Sequence, residues 1–250
     1  MRHTHRMRLD EALVAAGLAS SRARARDMVL RGTVFIDGER AVKPARQVAP
    51  AEELSVDDPA ARYVSRAALK LLAGLEYFGF NPDGVTALDL GASTGGFTQV
   101  MLERGASHVI AVDVGHGQIE PALAADPRVT LHEGVNARDL TRAHLGGRRI
   151  DAIVSDVSFI SLRLALPAAL VLAEPGAWGV FLVKPQFEVG RALVGKGGIV
   201  RDQDIARQAS EGIAAWLADT TDWRAVGLLP SPLVGGDGNV EYLLGARRNG

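Results

Sequence analysis

Cysteine is absent from the 250 residues, which excludes disulfides and thiolate metal sites and fits a reducing compartment. Long apolar runs are absent too. The most apolar stretch, residues 162–183, is interrupted by Arg163, Pro167, Glu174 and Pro175, so no membrane span or membrane partner is expected. The opening Met1-Arg2-His3-Thr4-His5-Arg6 is basic but leads into no apolar segment, and the reading is a cytoplasmic protein without a signal peptide. Lysine is the third scarcity: of 28 Lys and Arg side chains, only Lys43, Lys70, Lys184 and Lys196 are lysines. Lys184 stands at the end of the apolar run Gly179-Val180-Phe181-Leu182-Val183, directly before Pro185. Arginine does not give up its proton in a protein, whereas a desolvated lysine can. A lysine at the mouth of a buried strand, in a chain that prefers arginine, is therefore a candidate general base; a chance lysine at a strand end is the plain alternative.

With 47% hydrophobic and 23% charged residues, the chain has an ordinary globular composition, long enough for one sizeable core and a small companion domain. The net charge of −1 conceals an asymmetry. Residues 1–50 carry nine arginines and Lys43 against five acidic side chains, a balance of +5 that leaves −6 for the remainder. A basic head on a mildly acidic body points to a polyanion-binding module joined to something else.

In the head, Arg8 to Gly17 reads as a short helix with Leu9, Leu13 and Ala16 on one side. Ser20 or Ser21 can cap a second helix that runs to Arg31, stops at Gly32 and turns Ala25, Met28 and Val29 inward. Thr33 to Ile36 reads as a strand, Asp37-Gly38 as a tight turn, and Val42 with Leu54-Ser55-Val56 as the rest of a small sheet. Arg22 and Arg26 share one helical face, Arg24 and Arg31 another. Solvated charge is the ordinary reading of such arginines. The segment from Ser21-Arg22 through Gly38, helix then Val-Phe-Ile-Asp-Gly, nevertheless resembles an S4-type RNA-binding domain, whose basic residues would grip phosphates more than read bases.

Pro59 to Arg66 reads as a hinge, giving a head of residues 1–60, a linker of 61–66 and a body of 67–250. The body alternates helix and strand as a doubly wound α/β sheet does. A helix over Ser65 to Phe78 carries Lys70. Strands are expected at Thr86–Leu90, His108–Val112, Val129–Glu133, Ala152–Ser155, Gly179–Val183, Trp223–Leu229 and Glu241–Ala246.

Leu88-Asp89-Leu90-Gly91-Ala92-Ser93-Thr94-Gly95-Gly96-Phe97 joins the first of these strands to a helix through a glycine-rich turn, which lets a ligand lie against the backbone. The spacing is neither the dinucleotide G-x-G-x-x-G nor a P-loop. It resembles the first motif of S-adenosylmethionine-dependent methyltransferases, which implies a Rossmann-like fold, that cofactor, and contacts from Asp89, Gly91, Ser93, Thr94, Gly95, Gly96 and Phe97. Asp113, ending the second strand, is placed to accept ribose hydroxyls, Asp139 to meet the adenine amino group, and Asp156 to face the cofactor. Either of the first two alone would be an ordinary turn residue or cap.

The fourth strand ends in Val154-Ser155-Asp156-Val157-Ser158-Phe159 and the fifth in Val183-Lys184-Pro185. Ligands of such sheets bind beyond the carboxyl ends of the strands, so Asp156 and Lys184 should emerge side by side. Lys70, Asp156, Lys184 and Glu241 match, in order and context, the Lys-Asp-Lys-Glu tetrad of FtsJ-like RNA ribose 2′-O-methyltransferases. With Val-Asp-Val-Gly-His-Gly-Gln, Ser-Asp-Val-Ser-Phe-Ile-Ser and Val-Lys-Pro-Gln-Phe-Glu added, nearly the whole chain resembles the TlyA-type rRNA methyltransferases, a family also called hemolysins. That resemblance implies cytidine 2′-O-methylation of small- and large-subunit ribosomal RNA by a protein taken here as a monomer without a metal. It also implies RNA contacts at Arg8, Arg22 and Lys43, to which Arg24, Arg26, Arg31 and Arg66 are added as candidates. Within the tetrad, Lys184 would take the 2′-hydroxyl proton, Asp156 would orient Lys184, and Glu241 would fix Lys70.

Gly190 to Gly198, with Lys196, is either a lid over RNA or a plain surface loop. Two other functions remain in play: an RNA-binding protein without chemistry, and a pore former. The intact tetrad speaks against the first; the second lacks a membrane span, a barrel pattern and a secretion signal.

Overall fold

The computed structural model describes residues 6–250, so the basic opening used in the signal-peptide reading lies outside the described residues. The chain divides into two compact units, Met1–Ala61 and Arg62–Gly250.

The head comprises β1 (Met7–Arg8), α1 (Leu9–Ala15), α2 (Arg22–Arg31), β2 (Val34–Ile36), β3 (Glu39–Arg40), β4 (Gln47–Val48) and β5 (Leu54–Val56). Ser21 caps α2 by accepting from the Arg24 amide at 3.2 Å, and Gly32 ends it in the left-handed conformation that glycine adopts without strain. Ala25, Met28 and Val29 face inward and join Leu9, Leu13, Val34 and Ile36 in a small core. The Asp37-Gly38 turn pairs Ile36 with Glu39 and Phe35 with Arg40. Val42, expected in the sheet, lies past the end of β3 and is exposed, while its neighbour Ala41 is buried. The three-stranded sheet has the order β3-β2-β5, and β1 pairs separately with β4.

The body comprises α3 (Ala67–Phe78), β6 (Thr86–Leu90), α4 (Gly96–Glu103), β7 (His108–Asp113), α5 (Pro121–Ala124), β8 (Val129–Glu133), β9 (Ile150–Ser155), α6 (Leu162–Ala165), α7 (Pro167–Leu172), β10 (Ala173–Val183), α8 (Gln203–Thr220), β11 (Trp223–Pro230) and β12 (Tyr242–Arg248). Its seven strands have the order β11-β12-β10-β9-β6-β7-β8. From β6 the parallel sheet grows outward through β7 and β8, then resumes on the other side of β6 with β9 and β10. The order thus reverses between β6 and β9, and the crevice beyond their carboxyl ends is where such sheets bind ligands. β12 enters antiparallel beside β10. One apolar layer contains Leu71, Phe97, Met101 and Val180; the other contains Ile153, Phe181, Ile213, Leu217 and Trp223. The Trp223 indole N–H donates to the Leu170 carbonyl at 3.2 Å, which satisfies the polar end of a ring only 1% exposed.

Residues 62–65 pack on the body: the Val64 amide donates to Gln99 Oε1 at 2.9 Å, Gln99 Nε2 donates to the Arg62 carbonyl at 3.0 Å, and Tyr63 is buried in the α3/α4 layer. Two expectations are corrected. β10 begins at Ala173 rather than Gly179, because the chain pairs Ala173 with Ile150, bulges through Pro175-Gly176 and re-enters register at Trp178. Glu241 precedes β12 instead of opening it. No helix among the described residues is long and apolar enough to cross a membrane.

Candidate active site

The glycine-rich turn is shaped by its neighbours. Gly91 has a φ of 78°, and a side chain there would come within 3.0 Å of the Val157 backbone, so the ends of β6 and β9 can approach only over a glycine. Gly95, with a φ of 95°, would put a Cβ 2.5 Å from Leu123. Ser93 adopts a φ of 48° without being glycine, and its amide donates to Asp113 Oδ2 at 2.7 Å. Asp113 Oδ1 accepts from the Gly115 amide at 2.7 Å. Asp113 therefore staples the turn, and each of its oxygens keeps a lone pair for another donor.

Gly91, Ser93, Thr94, Gly96, Phe97 and Asp156 line the cleft above the turn, together with Lys184. Lys184 Nζ is 2.7 Å from Asp156 Oδ1. It donates to Ser158 Oγ at 2.7 Å and more weakly to the Asp156 carbonyl at 3.4 Å. Asp156 Oδ1 accepts no hydrogen bond of good geometry, so its contact with Lys184 is Coulombic rather than directional. Lys70 and Glu241 form a second pair, Nζ to Oε2 at 2.5 Å, with both residues buried. The two are not among the cleft's lining residues, although Ala67, one helical turn before Lys70, is. The tetrad is thus two ion pairs, one at the cleft and one beneath protein.

Asp89 is fully buried on β6. Thr98 Oγ1 donates to its Oδ2 at 2.7 Å, and Oδ1 has no partner. Burial, against the Thr98 hydrogen bonds and with help from the nearby charges of Asp156 and Asp113, pushes its carboxyl up to about 7. It braces α4 and does not line the cleft. Asp139 ends a single 3-10 turn, exposed, with its amide on the Asn136 carbonyl. Arg66 lies beside Gly236 in the loop before Glu241.

Ser65 and Ser158 also line the cleft, and neither was singled out from sequence. Ser158 carried a signal, a polar residue two positions after Asp156. Glu188, whose carboxyl is pushed up by burial against hydrogen bonds from Ser161 and Leu162, closes the Val-Lys-Pro-Gln-Phe-Glu segment but was given no role there.

In the head, Arg8 and Arg22 both contact the nearly buried Asp10, at 2.9 and 3.4 Å. The Arg8 hydrogen bond, opposed by burial, holds the Asp10 carboxyl below its usual range. Arg24 donates to the carbonyls of Ala60 and Ala61. Arg31 bridges Asp58 at 2.7 Å and Asp27 at 2.8 Å, and its side chain is only 14% exposed. Burial works to raise the Asp58 carboxyl, but Arg31 and the Ala60 amide bring it below the ordinary value. Arg31 is thereby committed within the head, while Arg26 and Lys43 are exposed.

A reversal point between parallel strands, a glycine turn entering a helix and a lysine–aspartate pair at the lip define a Rossmann-like transferase domain, carried behind a small basic α+β head. The chain belongs to the FtsJ-like methyltransferase family, which it matches over residues 63–248, and residues 7–54 match the S4 domain. It is 48% identical, over 97% of its length and 90% of the relative's, to the 16S/23S rRNA (cytidine-2′-O)-methyltransferase TlyA of Mycobacterium tuberculosis. It is 39% identical to hemolysin A of Brachyspira hyodysenteriae, covering 95% of this chain and 98% of that one. A solved structure from Streptococcus thermophilus superposes with a TM-score of 0.77 at 38% identity, covering 98% of this chain and 90% of that one.

Proposed function

We propose that this protein methylates the 2′-hydroxyl of cytidine in ribosomal RNA, using S-adenosylmethionine. The observation that carries the reading is the Lys184–Asp156 pair at the lip of the glycine-turn cleft. The residues present suit that cofactor. Asp156 Oδ1 is a buried carboxylate oxygen without a hydrogen bond, complementary to a positive sulfonium, and Asp113 retains acceptor capacity for ribose hydroxyls. When bound, the cofactor supplies an electrophilic methyl group.

The chain's own work concerns the hydroxyl. Lys184 Nζ, neutral when the hydroxyl arrives, accepts the 2′-hydroxyl proton as the oxygen becomes nucleophilic; Asp156 faces the ammonium that results, and Glu241 keeps Lys70 fixed beneath the site. Much of the acceleration comes from holding the hydroxyl in line. In the head, exposed Arg26 and Lys43, with the partly exposed Arg8 and Arg22, meet phosphates; Arg66 is the body's candidate for the same role. The high identity to a 16S/23S enzyme over nearly the full chain supports ribosomal RNA in ribosomal subunits as the substrate.

The test is transfer of tritiated methyl from S-adenosylmethionine to purified small and large ribosomal subunits, followed by mapping of 2′-O-methyl marks. Erythrocyte lysis is measured in parallel. Label at a cytidine 2′-oxygen is expected; lysis without methylation would refute the reading.

A further inference from the structure

The loop after β9 and the turn after β10 face each other and are tied at both ends. At one end, Lys184 donates to Ser158 Oγ at 2.7 Å and contacts Asp156. At the other, Glu188 accepts from Ser161 Oγ at 2.6 Å and from the Leu162 amide at 2.8 Å. Lys184 and Glu188 are ends of one tight turn, since the Phe187 amide bonds the Lys184 carbonyl and the Glu188 amide bonds that of Pro185. Between the ties, the rings of Phe159 and Phe187 meet with centroids 5.4 Å apart. Phe159 has a φ of 65°, a conformation that a non-glycine residue holds only when its surroundings impose it. That turn-over sends the Phe159 side chain out, 90% exposed, while Ser158 faces Lys184.

The consequence lies in the stereochemistry of the amine. A neutral lysine has two N–H bonds and one lone pair, disposed tetrahedrally. With one N–H on Ser158 Oγ and the other on the Asp156 carbonyl, the lone pair is left for the remaining direction, and Lys184 lines the cleft. The bond to the Asp156 carbonyl is long at 3.4 Å and the Oδ1 contact lacks hydrogen-bond geometry, so the 2.7 Å bond to Ser158 Oγ does most to fix that rotation.

We infer that Ser158 is a positioning residue that fixes the Lys184 amine with its proton-accepting direction toward the substrate hydroxyl, and that Glu188 holds the loop so that Ser158 can do so. The inference rests on the proposed methyl transfer for its kinetic consequence, but not for its structural one.

The experiment compares Ser158→Ala, Ser158→Thr and Glu188→Gln with the wild-type chain. Misplacing a reacting group by about 1 Å costs on the order of 100-fold in rate. Ser158→Ala should therefore lose about 10- to 100-fold in kcat, with KM for both substrates and the melting temperature close to wild type. Ser158→Thr, which keeps the hydroxyl, should recover most of the loss, and Glu188→Gln should show a smaller loss of the same kind. Lysine-selective 15N labelling supplies a readout free of turnover, because the chain has only four lysines. The Lys184 Nζ signal should broaden or shift in Ser158→Ala while the other three stay in place. An unchanged Lys184 signal, a wild-type kcat in Ser158→Ala, or a loss confined to KM would overturn the inference. A wild-type protein that methylates no ribosomal subunit sinks the functional reading instead, and the lysine spectra still decide whether Ser158 orders Lys184.

Discussion

Replacing Asp89 with asparagine perturbs a carboxyl that has no solvent contact, one oxygen on Thr98 and the other without a partner. In the folded body the carboxyl keeps its proton up to about 7, against an ordinary 3.8. That difference corresponds to about 4 kcal/mol between the two charge states. Below pH 3.8 both folded and unfolded chains hold the proton, and the stabilisation is fully present. Between 3.8 and about 7 the unfolded chain has released it and the folded chain has not, so stability falls as pH rises; above about 7 the contribution is gone. Asp89→Asn removes this slope. The new amide leaves an unsatisfied donor worth about 1–3 kcal/mol, but that cost does not vary with pH. Carboxyls held low, such as Asp58, and Glu188, which is raised, act alike in both proteins and cancel in the difference. Urea unfolding followed by tryptophan fluorescence is the assay, since Trp178, Trp216 and Trp223 all lie in the body. From pH 4 to 8, the mutant should gain about 4 kcal/mol relative to wild type, most of it before pH 7. Parallel pH dependences in the two proteins would refute the buried-carboxyl argument.

Lys184→Arg keeps the charge but cannot accept a proton; kcat for methyl transfer should fall by about 100- to 10,000-fold with cofactor binding retained in calorimetry. Lys70→Met leaves Glu241 buried without its partner and should destabilise the body by about 3–5 kcal/mol in urea, unlike a change at an exposed ion pair. Joint replacement of the exposed Arg26 and Lys43 by alanine should weaken binding of unrelated RNAs equally and reduce the slope of log affinity against log salt by about 1.5, measured by filter binding.

The parts legible in the sequence were those set by local chemistry. The Leu90-Gly91 to Gly96 turn is local because backbone geometry demands glycine where β6 and β9 nearly touch. The Lys184–Asp156 pair followed from the carboxyl ends of two strands, β9 and β10, which pair side by side. What escaped depended on distant partners. Glu188 meets Ser161 across 27 positions, and Arg31 meets Asp58 across the same separation; no periodicity encodes such pairs. Val42 was misplaced because a two-residue turn at Asp37-Gly38 fixes where the hairpin ends, and Arg40 is its last paired residue. α8 went unread although Asp202 caps it, accepting from Asp204 and Ile205. Its inward side carries Ala206, Ser210, Ile213 and Leu217 at helical spacing, a stripe that was legible and passed over.

The two halves of the tetrad occupy different surroundings, and that difference assigns them different work. Lys70 and Glu241 have side chains 7% and 3% exposed, a setting in which desolvation roughly cancels the attraction of the pair and an apolar pair of similar volume would serve stability as well. Stability therefore gives little reason for an ion pair there. Position gives a better one: Lys70 lies one turn beyond Ala67, which lines the cleft, and Glu241 is packed so closely that a side chain on Gly235 would come within 2.6 Å of its carboxylate. Two charges immobilised in this way do not reorganise when charge develops nearby, which is what a preorganised electrostatic support requires. Lys184 and Asp156, with side chains 11% and 18% exposed, retain contact with the cleft, and a group that must receive a proton needs that access. In the proposed mechanism the buried pair would supply a fixed field and the lip pair the moving proton, so exchanging the two lysines for arginine should separate their roles: Lys70→Arg should perturb packing and field, whereas Lys184→Arg should remove the proposed proton acceptor.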